Sequence, residues 1–153
     1  MNRPVVETTF REASRSDARE VASIVFGIIC EGGPPSGLEP MNRDHVLDWF
    51  DRLEDGGAIF LAEIEDLSAG FSVIEPDSRR EGVAVLRVYV LREFRQRGIG
   101  RELAQISVDF AREAGYTSVR GFVPEENEEA LSFFSAVAPL VQLQQGGQFH
   151  FEL

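Results

Sequence analysis

The sequence predicts one mixed α/β (α+β) domain, and three observations predict it. Segments of alternating or continuous apolar character take turns with segments of helical period, in the order β-α-α-β-β-β-α-β-α-β-β. The 153 residues, 43% of them hydrophobic, suffice for one core and are too few for two. No internal repeat, low-complexity tract or linker divides them. The expected architecture is a single unit over residues 1–153, with a sheet of six to seven strands flanked by about four helices.

Val5 to Arg11 is rich in β-branched residues and alternates loosely, which predicts a first strand. Ser14 to Asp17 brings capping chemistry, with Asp17 and Glu20 at capping-box spacing. Val21, Ile24, Val25 and Ile28 then recur at helical spacing, predicting a first helix to about Ile29. Residues 31 to 40, EGGPPSGLEP, are turn formers and read as a long loop, either a lid facing substrate or a plain surface connection. A second helix starts near Asn42, carries Val46, Trp49, Phe50 and Leu53 on one face, and stops at Gly56-Gly57. Ala58 to Ile64 and Gly70 to Ile74 read as a hairpin about a turn at Glu65 to Ser68.

Val83 to Leu91 is the next apolar run, and a polar, arginine-bearing turn leads from it to Gly98-Ile99-Gly100. Ile99, Leu103, Ile106 and Phe110 form one face of a helix ending near Gly115. Ser118 to Val123 reads as a short strand. A further helix follows Pro124 and ends at Pro139. Val141 to Leu143 and Gln148 to Leu153 read as two last strands.

Charge narrows the function classes. Lys plus Arg is 15 against 26 Asp plus Glu, giving −11, and every basic residue is Arg. That balance argues against a nucleic-acid binder, whose affinity rests on phosphate contacts. A GC-rich genome, adaptation to high salt and attraction of a cationic substrate would each produce it. No apolar run approaches the roughly 20 residues that span a membrane. The N-terminal stretch has no sustained apolar segment of signal-peptide type, so a cytoplasmic location is expected. Cys30 stands alone, and His45 and His150 are far apart, so neither a disulfide nor a metal site is expected.

Against this acidic background the basic charge is concentrated in one place. Arg92, Arg95, Arg97 and Arg101 fall within ten residues, and Arg92 to Glu102 carries a net +2. A strand, a glycine turn and a helix N-terminus in sequence make an anion site. The first-turn N–H groups of a helix point outward, and the macrodipole adds about half a positive charge there. A glycine admits the anion closely because no Cβ intervenes. We read the segment as a diphosphate cradle. A P-loop requires Lys, which is absent. A dinucleotide fingerprint requires a small residue where Leu103 stands and an acid where the next strand ends in Gly121-Phe122-Val123.

Val90 followed by Arg95-Gln96-Arg97-Gly98-Ile99-Gly100, after an apolar strand, resembles the acetyl-CoA signature of the GNAT superfamily of N-acetyltransferases. The block Asn127-x-x-Ala130-x-x-Phe133-Phe134 is similar to that family's second motif, and FREASRSDAREV to its first strand and helix. The resemblance spans essentially the whole chain. It implies a GNAT-type fold with a mostly antiparallel mixed sheet, and transfer of an acetyl (acyl) group from acetyl-CoA, as cosubstrate and without a metal, to an amine on a small molecule or a protein.

Site roles follow from the resemblance alone. The backbone of Val88, Tyr89 and Val90 would pair with the pantetheine arm like another strand, with the Val90 N–H facing the thioester oxygen. Amides from Gln96 through Arg97, Gly98, Ile99 and Gly100 to Arg101, with the Arg95, Arg97 and Arg101 side chains, would hold the diphosphate. Asn127 would approach the arm and Phe133 would pack near the cofactor. Tyr89 should face opposite to Val88 and Val90, so its side chain is given no role. Many relatives carry a proton-donating Tyr where Phe134 stands. Relatives also place an acid within the strand as base, where Ala84 and Leu86 stand here. Glu81 is the nearest carboxylate and the candidate base, with Glu31 and Glu39 in the loop behind it. Relatives are often homodimers, and the strands bearing Phe149 and Phe151 would serve as an interface or close the core.

Phe134 and the missing strand acid motivate an alternative, an acyl-CoA-binding regulatory module with little or no catalysis. A nucleotide-binding domain of doubly wound type is the third reading.

Overall fold

Ala58 to Ile64 shows no apolar–polar alternation because its sheet is covered on both faces. The computed structural model describes residues 7–32, 38–53, 56–122 and 148–153. Among these, six strands form one sheet in sequential order: β1 (Thr8–Glu12), β2 (Ala58–Ile64), β3 (Leu67–Pro76), β4 (Val83–Val90), β5 (Ser118–Phe122) and β6 (Gln148–Glu152). β1 to β4 are antiparallel neighbours, β4 and β5 are parallel, and β5 and β6 are antiparallel. The parallel step needs a crossover, which α3 (Ile99–Glu113) supplies. α1 (Ala18–Cys30) and α2 (Arg43–Leu53) lie between β1 and β2 in sequence.

The pleat divides the core in two. Phe60, Ala62, Ile74, Ala84 and Leu86 meet Leu103, Ala104, Val108 and Ala111 of α3 on one face. Ile59, Leu61, Phe71 and Val73 meet Val21, Ile24, Val25, Val46 and Trp49 of α1 and α2 on the other. Each fully buried Leu or Ile contributes about 1.5–3 kcal/mol of transfer free energy. α3 therefore lies against β3 and β4 with its N-terminus next to the end of β4.

Two local expectations are corrected. The cap ahead of α1 is the Ser14–Asp17 pair, with the Ser14 N–H donating to Asp17 Oδ2 at 2.8 Å, and Asp17 also takes two hydrogen bonds from Arg11 at 2.8 Å. The Asp17–Glu20 box is not used, because Arg11 on β1 draws the Asp17 carboxylate toward the strand. The hairpin turn is Glu65-Asp66 alone, at φ 49 and 66, and β3 begins already at Leu67. Two successive left-handed residues make a tight turn that suits strand twist, and Glu-Asp lacks the glycine that normally signals it. β2 and β3 also shift register between Ala62 and Glu63.

The helix expected after Pro124, the strand at Val141 to Leu143, and the positions Asn127, Phe133 and Phe134 lie outside the described residues, as do the side chains of Phe149 and Phe151. Among the described residues, no helix is long and apolar enough to cross a membrane, and no group of three or more His, Cys, Asp or Glu is placed to hold a metal.

Candidate active site

β4 has two edges with different fates. Leu91 N–H donates to Ala69 O at 2.9 Å and Asp77 N–H to Val83 O at 2.8 Å. Antiparallel ladders alternate, so the odd-numbered residues of β4 turn their N–H and C=O toward β3. The even-numbered ones turn them toward β5, as Gly82 does when its carbonyl accepts from Thr117 N–H at 2.8 Å. Pairing with β5 runs only from Val83↔Ser118 to Leu86↔Gly121. Past Leu86 the strands part. Val88 and Val90 then direct their backbone groups to an edge with no strand partner among the described residues.

Side chains alternate with the same parity. Val88 and Val90 pack on the α3 face. Tyr89 packs on the α1/α2 face with its ring 5.2 Å from that of Phe71, and burial raises its phenol pKa above the ordinary value. Close strand approach at this point requires Gly70, where a Cβ would stand 2.6 Å from the Tyr89 carbonyl oxygen.

The chain leaves β4 through a 3₁₀ turn at Arg92–Phe94, anchored by buried Phe94. Gln96 (φ 65) and Gly98 (φ 78) are left-handed. Gly98 is the N-cap of α3, has no side-chain cap, and accepts from Glu102 N–H at 3.1 Å. That is the first helical bond, so the amides of Ile99, Gly100 and Arg101 have no intrahelical acceptor. A Cβ on Gly98 would meet nothing within 4 Å. One on Gly100 would make only ordinary contacts with Val90 and Val88. Among the described residues, space for a ligand therefore surrounds the turn that presents the α3 N-terminal amides.

The arginines divide between two jobs. The Arg97 guanidinium lies over the Phe94 ring, 5.8 Å from its centroid. Arg97 and Arg101 are exposed, and neither pairs with a carboxylate among the described residues. Arg95 turns back: Nε donates to the Val90 carbonyl at 2.9 Å and Nη2 to Glu31 Oε1 at 2.8 Å. Glu31 Oε2 accepts from the Arg92 N–H at 2.8 Å, and the Glu31 carbonyl from Arg92 Nη2 at 3.3 Å. The Glu31 side chain is 13% exposed. An open groove of about 520 Å³ runs beside these groups, lined by Ser23, Phe26, Gly27, Glu31, Leu91 and Glu93 among others.

The structure thus gathers Val88, Val90, Arg95, Gln96, Arg97, Gly98, Ile99, Gly100 and Arg101 at one end of β4; Tyr89 does not join them, because its N–H and C=O face β3 and its ring faces α1 and α2. Glu81 is not among them. It is exposed in the turn before β4, and the strand from Val83 to Val88 alone spans about 16 Å. Direct proton transfer needs hydrogen-bond reach or one intervening water. Glu31 sits beside the site, but its carboxylate is already committed to two arginines. Sequence reasoning missed this use of Glu31, because a contact 64 residues away in the chain leaves no periodic signal.

Comparison with known proteins agrees with this fold. The Acetyltransferase (GNAT) family profile matches residues 25–137. No curated protein matches the chain by sequence. The chain is similar in structure to a GNAT-family acetyltransferase from Streptococcus pneumoniae, with 17% identity, a TM-score of 0.79, and coverage of 96% of this chain and 100% of that one. It is similar to a ribosomal-protein-alanine N-acetyltransferase from Brucella melitensis, with 20% identity, a TM-score of 0.77, and coverage of 95% and 99%. A third is the PaiA N-acetyltransferase from Thermoplasma acidophilum in complex with coenzyme A, with 17% identity, a TM-score of 0.70, and coverage of 95% and 98%. With the family profile spanning nearly three quarters of the sequence, this chain belongs to the GNAT acetyltransferase family.

Proposed function

We propose that the protein transfers an acetyl group from acetyl-CoA to the primary amine of a small molecule or a protein. The observation that carries this reading is the edge of β4 at Val88 and Val90, without a strand partner among the described residues, leading straight into the donor-rich turn at Gln96 to Arg101. An extended amide-bearing arm joined to a diphosphate fits those two features in that order, and the coenzyme A complex of one structural neighbour supports it.

Acetyl-CoA supplies the activated acyl carbon: the amine nitrogen bonds to it, the C–S bond breaks, and sulfur leaves with the electron pair. The Val88 carbonyl and the Val90 N–H hydrogen-bond the arm along the β4 edge. The Val88 N–H, farther from the diphosphate turn than that of Val90, donates to the thioester carbonyl oxygen as negative charge gathers there. Amides of the α3 N-terminus, with the Arg97 and Arg101 side chains, hold the diphosphate. The amine must shed a proton to react. Glu31, beside this end of β4, has both carboxylate oxygens held by Arg95 and the Arg92 N–H, so that proton passes to water. Asn127 and Phe133 keep the roles that the family resemblance implies.

Thiol release assayed with a broad amine panel tests the proposal. CoA formation that depends on an acceptor is expected. Acetyl-CoA binding by calorimetry with no turnover for any amine would favour the non-catalytic binding module instead.

A further inference from the structure

The two faces of the sheet beside the open edge of β4 differ. On one, the first turn of α3 rests on Val88 and Val90, so closely that a Cβ on Gly100 would touch both. The other carries Arg87 and Tyr89. Their partners on β3 are Val73 and Phe71, which belong to the core beneath α1 and α2, and directly paired residues share a face. Tyr89 packs into that core, whereas the Arg87 side chain is 47% exposed. An arm laid along the edge as an added strand holds its carbonyl planes near that of the sheet, so an attacking amine arrives from one face or the other. The α3 face is filled at Val88 and Val90, which leaves the face of Arg87.

Two ion pairs on this face show which cation can take a ligand. Arg120 of β5, level with Val85, donates through Nε to Asp77 Oδ2. Arg87 meets Glu75 Oε1 only at 3.6 Å, beyond hydrogen-bond length. Glu75 is anchored separately, its Oε2 accepting from the buried Trp49 Nε1 at 3.3 Å. Glu75 therefore gives the guanidinium a resting direction without filling its N–H fork. We propose that Arg87 binds a carboxylate of the acceptor, and that the acceptor is a small amino acid. This rests on the acyl-transfer reading above, in which the thioester oxygen sits at the Val88 N–H. Arg87 is the residue just before that donor, so one side chain's length separates the bound carboxylate from the reacting carbon. Amine and carboxylate must then lie a few bonds apart. The guanidinium fork matches a carboxylate with two parallel hydrogen bonds. In a chain of net charge −11, an exposed arginine at this point also reverses the local sign.

The test measures thiol release with the free amino acids and with their C-terminal amides. The amide has the more readily deprotonated amine, so a preference for the acid runs against intrinsic reactivity. Wild type should favour its best amino acid over the matching amide by about tenfold to a hundredfold in kcat/KM, the range of a charge-assisted pair. Arg87→Gln should bring that ratio to about one while the acetyl-CoA Kd stays within about twofold. Arg87→Lys, which keeps the charge without the fork, should fall between, and it serves if Arg87→Gln does not fold. A wild-type ratio near one, turnover of other amines but of no amino acid, or a wild-type ratio retained in either variant overturns the proposal. If wild type releases no thiol with any amine, acyl transfer itself fails. Arg87 is then judged by calorimetry of the same acids and amides in the presence of CoA, where equal or undetectable affinities overturn the assignment.

Discussion

A methyl carbon built on Gly100 would lie 3.6 Å from Cγ2 of Val90 and 3.8 Å from Cγ1 of Val88, ordinary van der Waals contact. Nothing in the protein itself requires glycine there. Gly100→Ala should therefore fold normally, with a Tm equal to or slightly above wild type, since Ala is the better helix former. Its acetyl-CoA Kd should rise about tenfold, because the methyl group takes the space through which the backbone meets the diphosphate. Thermal melts and calorimetry on the same sample separate the two effects.

Arg97 lies on Phe94 and, among the described residues, its charge at the mouth of the turn has no carboxylate partner. Arg97→Gln should weaken acetyl-CoA binding about threefold to tenfold at low salt. The deficit should shrink as salt is raised, since exposed charges are screened over about 8 Å at physiological ionic strength. Titrations at two salt concentrations read both numbers.

Asp17 predicts a pH dependence of stability rather than of turnover. Hydrogen bonds from Arg11 pull its pKa down to about 2 from an ordinary 3.8, against the opposing effect of burial, and the Ser14 N–H adds to the pull. A group depressed on folding stabilises the protein above its unfolded pKa and loses that contribution as pH falls toward the folded one. The loss should fall between about pH 4 and pH 2. Asp17→Asn should flatten that part of the curve and cost about 1 kcal/mol at neutral pH, the half-exposed Arg11 limiting the figure. Denaturant melts across the acid range check it.

Glu81→Gln should leave kcat within about twofold, because Glu81 precedes β4 and the strand from Val83 to Val88 spans about 16 Å. The pH–rate profile should be unchanged by the substitution and should follow the ionisation of the acceptor amine. A tenfold loss of kcat would instead bring the β3–β4 turn to the reacting atoms.

What the residues disclosed in advance was local or periodic. Ala58–Ile64 matches its expected bounds, and α3 differs by about two residues at its end, because apolar periodicity and flanking glycines mark them. The cradle was legible for the same reason: a strand, four arginines and two glycines lie within one short stretch. Partnerships across the sheet were not legible. Whether Asp17 caps with Glu20 or Ser14 depends on Arg11 arriving from β1. Whether Arg95 faces a ligand or Glu31 depends on where α1 ends. A Glu-Asp hairpin turn becomes visible only once β3 is paired with β2 on one side and β4 on the other, since those pairings outweigh the cost of two left-handed residues.

The most direct measurement is an amide chemical-shift titration of the protein with acetyl-CoA. Saturable shifts should concentrate at Val88, Val90 and Gln96 to Arg101, with little change in the β3–β4 turn at Glu81. Absence of shifts at those positions at millimolar acetyl-CoA, or equal shifts there with NAD or ATP, would contradict the assignment of this strand end as an acyl-CoA site.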